Sequence, residues 1–161
     1  MRMTSFVLAC VGLLLTSVTS LPDEPGKKDE TKSEMKKFEG VWAGIQYVEN
    51  GDGEGQKIAP EESPIHWVFK ENKFELLTDV ENASEKGTYK LDVEADPKSI
   101  DLIFPNANDA KKKEQKILGI YAFEDDTLKI CYGVEGEKRP TEFKSEKDSK
   151  RILIVFKRLK K

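Results

Sequence analysis

The sequence predicts an all-β domain, an eight-stranded up-and-down antiparallel barrel preceded by a short helix. Three observations carry this. From residue 41 to the end, apolar residues recur with period two, the spacing at which alternate side chains share one face of a strand. The runs are short and mostly joined by tight turns, which link antiparallel neighbours. No helical run separates them, so there is no βαβ unit and no basis for a parallel sheet. Closure into a barrel is the economical arrangement, because an open meander leaves two edges of unpaired backbone groups. A β-sandwich is the competing one.

The first 20 residues are set apart from this pattern. Arg2 precedes an apolar run over residues 6–15, and small residues at 16–20 come before Leu21-Pro22. This is the plan of a secretory signal peptide cut after Ser20. The run is far short of the roughly 20 apolar residues that a lasting membrane helix needs, and no later segment approaches that length. Leu8-Ala9-Cys10 is the ending of a bacterial lipoprotein signal, but the apolar run continues past Cys10 instead of stopping there, which argues against a lipid anchor. The expected location is therefore the periplasm or the outside of the cell.

Cutting at Ser20 removes Arg2 and no acid, so the net charge moves from −3 to −4. That mild acidity disfavours a general nucleic-acid binder. It also removes Cys10 and leaves Cys131 as the remaining thiol, so no internal disulfide can close and stability must come from an ordinary core.

Residues 21–33, LPDEPGKKDETKS, carry two prolines and little to bury, and are expected to form a disordered spacer before a domain at 34–161. Met35 and Phe38, three apart among charges, suit a short one-faced helix over 31–39 that stops at Gly40. Strands are then expected at 41–48, 65–70, 73–78, 87–91, 99–104, 117–123, 127–132 and 151–158. Glu71-Asn72, Asp96-Pro97 and Glu124-Asp125-Asp126 make the turns between paired runs. Trp67, Phe69, Phe74, Tyr89 and Phe104 point inward on this reading and favour a filled barrel. Gly44 and Gln46, on the same face as Trp42, would leave small and polar positions inside.

Gly40-Val41-Trp42 opens the first strand just after the helix, and this matches the Gly-x-Trp signature of the lipocalins. In that fold the Trp plugs the closed end of the barrel and an Arg at the end of the last strand packs across its ring, a place that Arg158 occupies here. Further motifs are Gly87-Thr88-Tyr89-Lys90-Leu91-Asp92, Asp96-Pro97-Lys98-Ser99-Ile100-Asp101-Leu102, Leu118-Gly119-Ile120-Tyr121, Asp126-Thr127-Leu128-Lys129-Ile130-Cys131-Tyr132, Arg139-Pro140-Thr141-Glu142-Phe143 and Phe156-Lys157-Arg158. Together, over residues 38–158, they resemble an uncharacterised lipocalin-like domain family of short exported proteins expanded in planctomycete bacteria. The resemblance implies fold and export and leaves the activity open.

Chemistry-bearing patterns are weak. His66 is the one histidine and sits on the outward face of its strand, so no multi-His metal site can form. A thiol–imidazole pair with Cys131 is conceivable, but Cys131 lies between Ile130 and Tyr132 and reads as a packing residue. Asn50, Asp52, Glu54, Gly55 and Glu61 fit a calcium-loop spacing, but a strand precedes them and Pro60 interrupts the helix that should follow. Lys111-Lys112-Lys113 with Lys116 is flanked by acids and has no interleaved aromatic. Asn82-Ala83-Ser84 fits a glycosylation sequon that arises often by chance. No catalytic, metal or cofactor motif stands out, and the expected function is non-enzymatic. The barrel interior or its rim would bind a small apolar or amphipathic ligand or a partner, with Tyr121, Tyr132 and Arg139 as the candidate orienting groups. A filled barrel serving as a structural or interaction module of the envelope is the alternative.

Overall fold

The computed structural model describes residues 25–49, 51, 55–78, 84–105 and 114–160. The leader with Cys10, the loop residues Asn50, Asp52 and Glu54, the sequon residues Asn82 and Ala83, and the run Lys111-Lys112-Lys113 lie outside them.

The chain forms α1 (Pro25–Phe38), β1 (Gly40–Glu49), β2 (Gln56–Lys57), a 3-10 turn (Pro60–Glu62), β3 (Ile65–Lys70), β4 (Lys73–Thr78), β5 (Ser84–Asp92), β6 (Ser99–Phe104), β7 (Gln115–Glu124), β8 (Thr127–Gly133) and β9 (Arg151–Leu159). All neighbouring strands pair antiparallel, and β1 pairs with both β3 and β9. That second pairing closes an eight-stranded up-and-down barrel, with the short β2 added beside β1. The hairpin turns are tight enough to hold Glu71 and Asp125 at positive φ, 54° and 51°. β2 is new relative to the sequence reading: two residues are too few to show a period.

The helix begins earlier than its apolar pattern predicts. Residues 25–33, expected as spacer, form its first turns. Thr31, Glu34, Met35 and Phe38 make the buried or half-buried side, the i, i+3, i+4, i+7 stripe of an amphipathic helix. Two of those four, Thr31 and the carboxylate Glu34, are polar, so a search for apolar residues alone misses half of the stripe.

α1 caps one end of the barrel. Phe38 is fully buried, and its ring lies 5.0–5.4 Å from those of Phe69, Tyr89, Tyr121 and Phe123. Three of these contacts are edge-to-face, a geometry that adds about 0.5–1.5 kcal/mol per pair beyond area burial. The chain leaves the helix through Gly40 at φ +124°, a conformation L side chains rarely adopt. Behind this plug, Trp42, Trp67, Phe69, Phe74, Tyr89, Leu102, Leu128, Ile130 and Phe156 form a continuous core. Phe74 fits because Gly87 faces it across β4 and β5: a Cβ there would sit 2.8 Å from the Phe74 ring.

One register irregularity changes which residues face inward. β1 follows β9 as Trp42 opposite Arg158 and Gly44 opposite Phe156, then skips a residue so that Gln46 meets Val155 and Tyr47 meets Ile154. This β-bulge turns the strand over. Gln46, expected inside with Trp42, lies on the outer wall beside Val48 and Leu153, and Tyr47 takes the inward place and packs against the core. Period-two counting cannot anticipate an inserted residue.

Candidate binding mouth

The two ends of the barrel differ in chemistry. At the α1 end a set of polar groups holds the plug. The Trp42 indole N–H donates to the Phe38 carbonyl at 2.6 Å, and the Arg158 guanidinium lies 4.2 Å from the Trp42 ring centroid while donating to the carbonyls of Glu39 and Lys37. Glu34 enters the same end, accepting from Lys98 and Lys37 at 2.8 Å and from the Tyr121 hydroxyl at 3.3 Å. Burial pushes the Glu34 carboxyl upward, but the two ammonium groups outweigh it and hold it below the usual range. Tyr121, a candidate orienting residue, is 1% exposed and belongs to this plug.

Arg139 belongs to neither end. Residues 134–150, between β8 and β9, form a strap across the outer wall. Arg139 pins it by donating to the carbonyls of Ile100 and Gly119 at 3.1 and 2.6 Å and to the Asp101 carboxylate at 2.6 Å. Lys116 holds the other Asp101 oxygen, also at 2.6 Å, and although burial acts to raise the Asp101 carboxyl, the two cations keep it below its ordinary value. Under the strap lies Cys131, fully buried, with Sγ 3.6 Å from the Lys144 carbonyl. Burial pushes this thiol up, the direction opposite to an activated nucleophile. His66 is on β3, separated from β8 by β1 and β9, so the two do not meet.

The opposite end, where β1, β5 and β8 reach away from α1, is built differently. Cross-strand register places Trp67, Leu76 and Glu85 in one inward row on β3, β4 and β5. It places Glu49 and Tyr132 on either side of Ile152, with Tyr47 beside Ile154. Tyr47 donates to Glu49 Oε2 at 2.8 Å, and burial followed by this bond pushes its hydroxyl up to about 12. Tyr132 is shifted upward as well, by burial first and then by Tyr47, Glu49 and Glu85. Tyr132 thus occupies the mouth, Tyr121 the plug and Arg139 the outer wall. The three do not converge.

Between the tyrosines and the plug stands Trp67. Its ring lies 5.4–6.4 Å from those of Phe69, Phe74, Phe156 and Tyr132, it is 2% exposed, and its Nε1–H has no acceptor among the described residues. Leaving a buried donor unpaired costs about 1–3 kcal/mol, so the group is a signal. An ordered water needs several polar partners, and three of the four ring neighbours are phenylalanines that offer none.

Two pockets lined by described residues lie on the outer wall. One, of about 260 Å³, is bounded by Gln46, Val48, Leu153 and the strap residues 143–146; the other, of about 250 Å³, by Lys73, Gly87, Thr88 and Ile103. Both fall below the roughly 300 Å³ of usual ligand sites. No described helix is long and apolar enough to cross a membrane, and among the described residues no three His, Cys, Asp or Glu side chains gather to hold a metal.

Tyr47, Glu49, Glu85 and the Trp67 N–H escaped sequence reasoning. Glu85 was within reach: counting back in twos from Tyr89 through Gly87 puts it on the inward face. Tyr47 and Glu49 were not, because the bulge precedes them.

The closed antiparallel ring with one short helix at its end is a lipocalin-like barrel. No family model and no curated protein matches the chain. Among solved structures it is similar to a lipocalin-like protein from Bacteroides uniformis, at 16% identity and a TM-score of 0.49, over 76% of this chain and 99% of that one.

Proposed function

We propose that this is an exported, non-catalytic protein that binds a small amphipathic molecule in the half of its barrel away from α1. The observation that carries the reading is the buried, unpaired Trp67 N–H. A ligand with an apolar body and one acceptor would satisfy that donor while lying against Leu76, Ile65 and Ile152, which pack around the core at that end. The leader-like first 20 residues and the resemblance to exported planctomycete proteins support placement in the periplasm or outside the cell. The half-buried or buried acids Glu34 and Asp101 are engaged in ion pairs that hold α1 and residues 134–150 on the barrel, which supports a binding role over a hydrolytic one.

Native mass spectrometry of the protein purified from its own cells tests this. The expected result is a retained small molecule, lost or reduced in Trp67→Phe. Bare protein under the gentlest ionisation would contradict it and favour a second reading, a filled barrel acting as an envelope module. That reading has its own support in the aromatic core running unbroken from Phe38 through Trp67 and Phe74 to Phe104.

A further inference from the structure

Inward-facing charge is sparse in this barrel, and its sign is uneven. The inward positions follow from the cross-strand rows that contain Trp42, Trp67, Phe74, Tyr89, Tyr121, Ile130 and Phe156. Charged side chains occupy three of them among the described strands: Glu49, Glu85 and Arg158. Arg158 is at the α1 end, committed to Trp42 and two carbonyls. Both inward-facing charges of the mouth half among the described residues are therefore carboxylates. The lysines of neighbouring positions point the other way: Lys86 pairs with Glu75 on the outer wall at 2.9 Å, and Lys116 pairs with Asp101 beneath the strap.

We infer that the mouth selects a ligand whose polar group is neutral or cationic, and rejects carboxylates and phosphates. The inference rests on the reading above that the mouth half binds a ligand, and adds its chemical class. Three features act together. Glu49 and Glu85, both exposed, supply negative potential at the opening, where an entering anion meets no inward-facing cation among the described residues. Tyr132 and Tyr47 present aromatic rings to the same opening, surfaces that attract ammonium groups. Deeper in, the Trp67 N–H offers one donor, enough for a carbonyl, ether or hydroxyl oxygen and too little to hold an anion unaided. Burial is the main cause of the upward displacement of both tyrosine hydroxyls, and the nearby carboxylates, Glu49 at Tyr47 and Glu49 with Glu85 at Tyr132, add to it.

The test is displacement of the neutral fluorophore N-phenyl-1-naphthylamine from the full mature chain by three amphiphiles of equal tail length, decyltrimethylammonium, decanol and decanoate. The expected order places decyltrimethylammonium and decanol ahead of decanoate by at least about tenfold in half-displacing concentration at low salt. In Glu49→Gln/Glu85→Gln that ratio should fall toward one, and in Glu85→Lys, a substitution at an exposed site, decanoate should gain. Decanoate equal to or tighter than the other two in the unaltered protein, or a ratio insensitive to both variants, overturns the inference and leaves the binding reading standing. Absence of any binding of the fluorophore and all three amphiphiles overturns that reading and the inference with it.

Discussion

At Arg158 a guanidinium lies over the Trp42 indole while its nitrogens reach two carbonyls at the end of α1 and in the link that follows it, Lys37 and Glu39. One side chain thereby fastens the last strand, the first strand and the helix. Replacing it removes a cation–π contact and two charge-assisted bonds, so Arg158→Ala is expected to lower unfolding stability by about 2 kcal/mol in urea titration. Arg158→Lys should recover little of this, because an ammonium cannot stack and fork at once. Glu34 is the second fastening. Its carboxyl is held below the unfolded value by Lys37 and Lys98 against the opposing effect of burial. Its contribution is therefore fully present above the unfolded carboxylate pKa and is lost as pH falls through the lower, folded one. Glu34→Gln should cost about 2 kcal/mol at pH 7 and flatten the acid limb of a stability–pH curve. An unchanged acid limb would remove Glu34 from this role.

Two elements are attached to the barrel, and each attachment has a readable consequence. The strap of residues 134–150 covers Cys131 and is pinned by Arg139 on Asp101 and two carbonyls. Arg139→Ala should let the strap open without unfolding the barrel, so Cys131 should react with a thiol reagent at least about tenfold faster at unchanged circular dichroism. Equal rates would mean that the thiol is guarded by the barrel wall instead. From the sequence, Arg139 looked like a ligand group, because a basic residue after a glycine loop carries no sign of the wall it will lie on. The helix shows the converse limit. Its start was hidden by Pro25, Gly26 and charges typical of a spacer, whereas its buried stripe is completed by Glu34, whose partner Lys98 is 64 residues away. A carboxylate is predictable as a buried residue only once its cations are known.

Across the whole molecule, the strands were legible because their alternation and turns are local properties. Residues 65–70, 73–78 and 99–104 were delimited as they stand in β3, β4 and β6, and closure followed from the cost of open edges. The site was less legible because it depends on a bulge and on which end of the barrel each row approaches. Gly44 and Gln46 show the difference: one inserted residue sends Gln46 outside and brings Tyr47 and Glu49 in. The result is a barrel solid and tied down at the α1 end and, at the other, lined by two tyrosines, two carboxylates and an indole without an acceptor. The central claim is that a ligand engages this second half, and the molecule carries its own control. Trp42 Nε1 already donates to Phe38, whereas Trp67 Nε1 has no partner among the described residues. In a ¹H–¹⁵N spectrum of the mature protein titrated with decanol, with the two indole signals assigned through Trp67→Phe, the Trp67 N–H should move downfield to saturation while the Trp42 N–H stays in place. Two indole signals that both stay fixed, or move together, would contradict the account.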